Sequence, residues 1–206
     1  MTDSEICEAI NKYKNCIYDK LNEGHFDDYF KIISKNDTNF KSIYARFYVL
    51  NGAGGLSSKQ RDLYFELLED DSETDFLVIM EKLYEVPRIT KKGIKQHRYF
   101  LSFTTKLLHT KDRDIPIYDR NVAIILGLPK QEYGTKEERL QNRLRIFNEL
   151  KNRVKGLLNN SCVNDFILTL RKDFSANSFW EDSLISETKI LDSILWALYT
   201  CQNEDR

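Results

Sequence analysis

The sequence predicts an all-α protein, a compact multi-helix bundle that takes in residues 1–206 as one unit. Three observations carry that expectation. Apolar residues recur at spacings of three and four along nearly the whole chain, the period of a helix with one buried face. Only 3 prolines and 8 glycines interrupt 206 residues, so helix breakers are scarce. The strict alternation of a half-buried strand is nearly missing.

Taken in order, Thr2 and Glu5 form a capping box ahead of Ile6, Ile10, Tyr13, Ile17 and Leu21, one amphipathic helix. A second helix is expected over 26–34 and a third over 39–50, with Phe40, Ile43, Tyr44, Phe47 and Leu50 on one face. Asn51-Gly52-Ala53-Gly54-Gly55 breaks the pattern. Ser57 or Ser58 then caps a helix bearing Leu63, Tyr64, Leu67 and Leu68. After the turn Asp70-Asp71-Ser72, a helix from Asp75 to Val86 carries Phe76, Ile79, Met80 and Leu83. A basic segment leads to a helix ending near 109, then to one that starts at Asp119 and stops at Gly127-Leu128-Pro129. Lys136–Leu157 is a long amphipathic helix on Leu140, Leu144, Phe147, Leu150 and Val154. Two more follow near 161–173 and 186–201, the last on Ile190, Leu191, Ile194, Leu195 and Leu198.

Composition narrows the function classes. No apolar run approaches the roughly 18–20 residues of a membrane span, and Thr2-Asp3-Ser4-Glu5 is unlike a signal peptide. Cys7, Cys16, Cys162 and Cys201 are far apart and lack metal-ligand spacing, and His25, His97 and His109 make no i, i+4 ligand pair. The expectation is a reduced, cytoplasmic protein with no metal, no cofactor and no membrane partner. The glycine segment Asn51–Ser58 allows close backbone approach to a ligand. It is neither a GxGxxG turn nor a phosphate loop, and an ordinary interhelical turn would read the same way.

The densest signal lies in Ser102–Leu126. Pro116 pushes Ile115 out of the helical region, so the chain reaches Asp119 extended, and Val122, Ile125 and Leu126 then take up helical spacing. Asp119 is therefore an N-cap, its carboxylate facing free backbone N–H groups and the positive end of a helix dipole. A capping aspartate is ordinarily only a cap. Its surroundings add information: residues 86–111 hold seven Lys or Arg and no Asp or Glu, where about four acids would be expected at the chain's overall acid content. Charge segregated in this way is what an electrostatic footprint for nucleic acid requires, even at a net charge of -1.

The order of basic hairpin-like turn, helix, Pro116-Ile117-Tyr118-Asp119 and a new helix resembles the core of the helix-hairpin-helix DNA glycosylase superfamily. The resemblance covers residues 75–130. It implies a two-lobed helical fold, one lobe of residues 1–72 with the C-terminal helices and another of residues 73–130. It also implies that Asp119 is the catalytic aspartate. Val86-Pro87-Arg88-Ile89-Thr90-Lys91-Lys92-Gly93-Ile94 stands where the family has its glycine-rich hairpin; with one glycine here, Lys91, Lys92 and Lys95 replace the backbone grip on phosphate, joined by Arg88 and Arg98. The early loop at Asn51 stands where family loops fill the gap left by an extruded base. The family lysines that form a Schiff base would fall at Phe100 or Leu101, which are not lysines.

A base cannot be cut from its sugar inside the stack, so such an enzyme holds the flipped base between aromatic or apolar walls. Tyr118, Tyr99 and Phe103, nearest Asp119 in the chain, are the wall candidates among 12 Phe, 11 Tyr and 2 Trp; Trp180 and Trp196 read as structural. Two routes are open. Asp119 can stabilise an oxocarbenium-like sugar while water attacks, the physics of glycoside hydrolysis, or a lysine amine can attack, for which Lys106 is the candidate. The water route is expected. The reading is a monofunctional DNA glycosylase acting as a monomer on double-stranded DNA with a damaged or modified base, in repair or in defence against modified foreign DNA. The alternative is a non-catalytic DNA- or protein-binding module of a bacterial defence or regulatory system. A pI near 6.3 argues against strong non-specific DNA binding, which depends on phosphate neutralisation.

Overall fold

The computed structural model describes residues 1–22, 26–34, 38–52, 55–89, 92–174 and 185–205. Among them eleven helices and one short ribbon form an all-α multi-helix bundle that is 70% helical. In chain order these are α1 (Asp3–Lys12), α2 (Lys14–Asn22), α3 (Asp27–Ser34), α4 (Phe40–Phe47), α5 (Ser58–Glu69), α6 (Phe76–Glu85), β1 (Arg88–Ile89), β2 (Lys95–Gln96), α7 (Leu101–Lys111), α8 (Arg120–Leu126), α9 (Lys136–Leu158), α10 (Ser161–Phe174) and α11 (Glu187–Glu204). Most starts follow from local capping. Thr2, Ser57 and Thr135 each close a capping box, while Asp75, Asp119 and Ser186 accept a backbone N–H from the first turn. Gly127 ends α8 at φ 65°, a left-handed C-cap that favours glycine.

α11 is the axis of the bundle. Ile190, Leu191, Ile194, Leu195, Ala197 and Leu198 are fully buried, and α11 packs most heavily on α2 and α8. One hydrophobic core runs from Ile6 to Cys201, through both of the lobes expected from the sequence. Phe76 and Phe147 stack at 4.3 Å to join α6 to α9. No helix among the described residues is long and apolar enough to cross a membrane.

The structure corrects four expectations. The first amphipathic run is two helices, interrupted at Tyr13. The helix expected over 39–50 ends at Phe47, because Val49 turns left-handed at φ 55° and sends the chain back. The segment standing for the family hairpin is an antiparallel ribbon, Arg88 paired with Gln96 and Ile89 with Lys95, turning through Gly93 at φ 75°; strands of two residues are too short to show alternation in a sequence. The cysteines are not reduced: Cys7 bonds Cys162 and Cys16 bonds Cys201. The two bonds tie α1 to α10 and α2 to α11, pairings between chain ends that spacing alone does not reveal.

Candidate functional site

The site is built on α7. Thr105 and His109 lie one turn apart on this helix with Lys106 beside Thr105, and the first two strap down the extended segment that follows. The hydroxyl oxygen of Thr105 accepts the backbone N–H of Tyr118 at 2.9 Å. His109 Nδ1 lies 2.7 Å from the carbonyl oxygen of Ile115, which can only accept, so Nδ1 carries the hydrogen. His109 Nε2 then accepts from the Tyr29 hydroxyl at 2.9 Å. Burial drives the His109 pKa down from its ordinary 6.5 to about 3, with the Lys189 charge acting in the same direction, so this imidazole is a neutral clamp. Between the straps, Pro116–Tyr118 runs extended to Asp119, whose Oδ1 accepts the N–H of Asn121 at 2.8 Å and opens α8.

Extended chain alternates its side chains. Ile117 and Asp119 therefore face one way and Tyr118 the other. Ile117 and Asp119 line a cavity of about 420 Å³, within the usual range for small-molecule sites, while Tyr118 goes into the core. Lys106 enters the same cavity from α7. Its Nζ donates to the carbonyl oxygen of Tyr48 at 3.3 Å and lies 5.5 Å from the ring centres of both Tyr48 and Phe103. Burial lowers the Lys106 pKa, opposed by the charges of Asp119 and, more weakly, Asp192, and assisted by Lys189. Such an amine loses its proton more readily than a surface lysine.

The facing wall comes from two other places. Phe47, Tyr48 and Val49 arrive from the end of α4; Lys189, Asp192, Ser193 and Trp196 arrive from α11. Lys189 and Asp192 form an ion pair at 2.7 Å with their side chains 5% and 12% exposed. Val49 is 62% exposed at the rim in its left-handed conformation, a strained state for a β-branched residue.

Of the residues singled out from sequence, Asp119 and Lys106 are brought together. Tyr99 stacks on Tyr84 at 4.3 Å beneath Arg139 and, like Tyr118, lies outside the cavity. Phe103 touches the site only through its ring's approach to Lys106. The aromatic walls are instead Phe47, Tyr48 and Trp196; Trp196 lies in a helix that read as plain core. Asn51 accepts a hydrogen bond from Arg61 beside the cavity's rim residue Val49, and Ala53, Gly54 and Trp180 lie outside the described residues. On the ribbon and its flanks, Lys92, Lys95 and Arg98 are exposed and Arg88 is half-buried; Lys91 lies outside the described residues. Ile89 and Ile94, on the same ribbon, are 56% and 57% exposed. Among the described residues no group of three or more His, Cys, Asp or Glu could hold a metal ion.

Comparison with protein-family models, curated proteins and solved structures yields no match.

Proposed function

We propose that the protein is a DNA glycosylase, which flips a damaged or modified base into the α7–α11 cavity and releases it. The single observation that supports this most is the sharing of one aromatic-walled cavity by an N-cap aspartate and a buried lysine. Asp119 is held on two sides, by the α8 N-terminus and by the straps on Ile115 and Tyr118. Its charge needs little reorganisation to face a sugar that becomes positive as the base departs. The C1′–N bond breaks with its electron pair leaving on the base. The oxygen of a water bonds to C1′, and the base takes up a proton, so the products are the free base and an abasic sugar. The exposed cations Lys92, Lys95 and Arg98 supply the phosphate contacts.

One observation favours a second route. The lowered proton affinity of Lys106 suits an amine that attacks C1′ directly, leaving an imine on the ring-opened sugar. Borohydride separates the two: the water route leaves no trapped protein–DNA adduct, whereas an adduct that disappears in Lys106→Ala assigns the attack to the amine.

The test of the activity is incubation with duplexes that each carry one damaged or modified base, followed by alkali. Strand breaks at one class of base are expected. Their absence across the set, with duplex binding retained, would make the chain a binding module. In that assay Lys95→Ala with Arg98→Ala should weaken duplex binding uniformly over sequence and flatten its salt slope by about one unit per lost phosphate contact.

A further inference from the structure

The α11 wall has a structure that the chemistry at Asp119 and Lys106 does not use. Lys189, Asp192, Ser193 and Trp196 follow at i, i+3, i+4 and i+7, so they form one stripe on the helix, and all four line the cavity. A buried ion pair adds little net stability over apolar side chains of the same size, yet this one stands in a cavity wall. The ammonium of Lys189 is enclosed by the rings of Tyr29 at 5.3 Å and Phe47 at 5.8 Å, and it binds Oδ2 of Asp192 at 2.7 Å. Lys189 is the one hydrogen-bond partner of Asp192 among the described residues. The pair thus presents a fixed acceptor beside a fixed donor. Trp196, one turn on from Asp192, offers a flat apolar face.

Asp119 and Lys106 mark the end of the cavity where the sugar must sit; the base then extends toward α11. A carboxylate accepts only, and two adjacent N–H donors satisfy it best. Guanine's Watson–Crick edge has that pattern: N1–H and N2–H₂ side by side, with O6 next to them to accept from an ammonium. Adenine and cytosine set one amino group beside a ring nitrogen that repels a carboxylate. Uracil and thymine flank a single N–H with two carbonyl oxygens. Flipped bases are read along this same edge.

We propose that the cavity is specific for purines that carry guanine's Watson–Crick edge, with Asp192 accepting from N1–H and N2–H₂, Lys189 donating to O6 and Trp196 stacking on the ring. This rests on the base-excision reading and adds the substrate class to it. Asp192 is a specificity-determining residue here.

The experiment measures free base released from duplexes containing 8-oxoguanine, N7-methylguanine, xanthine, uracil or 3-methyladenine, by the intact protein and by Asp192→Asn. The first two keep guanine's edge, and wild type should release at least one of them about a hundredfold faster than xanthine, uracil or 3-methyladenine, the upper end of the discrimination that one bidentate contact to a base edge gives. Asparagine still accepts from Lys189 and from N1–H, but its amide donates where the carboxylate accepted. Xanthine has an oxygen in place of N2–H₂, so Asp192→Asn should lose the guanine-edge base and gain xanthine, inverting their ratio. A merely structural role for Asp192 cannot produce that gain. Equal losses on every base, or wild-type release confined to uracil or 3-methyladenine, would overturn the assignment while leaving the glycosylase reading in place. No release of any base by wild type would overturn the glycosylase reading, and this inference with it. The wild-type comparison decides the matter even if the variant folds poorly.

Discussion

The two walls of the cavity were built by different rules. The α7–α8 wall is local: within fifteen residues Lys106, the two straps and Asp119 follow one another along the chain. The α11 wall is assembled at long range, from a helix end near residue 47 and a stripe near residue 192 that meet only in the folded core. The first wall holds its charge by hydrogen bonds from neighbouring backbone. The second holds charge by pairing Lys189 with Asp192 in near-complete burial. A wall of the first kind should tolerate loss of its charge; a wall of the second should not.

The largest difference is expected at the ion pair. Lys189→Met leaves Asp192 buried without its partner and should lower stability by about 3–5 kcal/mol, read as the midpoint of denaturant unfolding. A loss under 1 kcal/mol would mean that solvent reaches Asp192 and that the two walls do not differ in kind.

Removing a disulfide probes the same long-range assembly. Cys16 and Cys201 bind the far end of α11 to α2 across a separation of 185 residues. Cys16→Ser should cost about 2–4 kcal/mol under oxidising conditions, and in reductant, which opens every remaining bond, the variant and the wild type should be equally stable. Unchanged stability would mean that the apolar packing of α11 on α2 suffices without the bond.

His109 tests the local wall. His109→Leu leaves the Ile115 carbonyl and the Tyr29 hydroxyl without partners, at a cost of about 2–3 kcal/mol at neutral pH. The folded protein holds His109 neutral down to about pH 3, whereas the unfolded chain protonates it near pH 6.5. Between those values the unfolded state binds more protons, so stability falls as pH falls, by about 1.4 kcal/mol per unit from this group. The leucine variant should lack that part of the acid slope. An unchanged slope would assign acid sensitivity to other groups.

How much of this was legible follows from the same contrast. The helices, the caps at Thr2, Ser57 and Asp119, and the stop at Gly127 are encoded within a few residues of where they act, and they could be read. Asp119 and Lys106 were legible for that reason. The place of Tyr118 is not legible in that way, because an extended chain turns neighbours in sequence to opposite sides and sends Tyr118 into the core behind Asp119. Lys189 and Asp192 look like the solvated face of an amphipathic helix and Trp196 like plain structure; only the packing around α11 brings the three to one cavity wall. Disulfide pairing between the chain ends is equally a property of the fold. The exposed charges of the ribbon were legible, its strands were not.

The smallest effect belongs to the rim between the walls. Val49→Gly removes a side chain that disfavours φ 55° and should stabilise the protein by about 1 kcal/mol. A loss would mean that the side chain's contacts with its neighbours outweigh the strain.

The central claim, that Asp119 performs chemistry rather than capping alone, is tested most directly by single-turnover base release from the preferred duplex by wild type and by Asp119→Asn. Asparagine still caps α8, so stability should change by only a few tenths of a kcal/mol, while the charge facing the sugar is gone. The account predicts that base release falls by about a hundredfold or more at unchanged stability. Full release by Asp119→Asn would contradict it, and would leave Asp119 as the cap of α8 and nothing more.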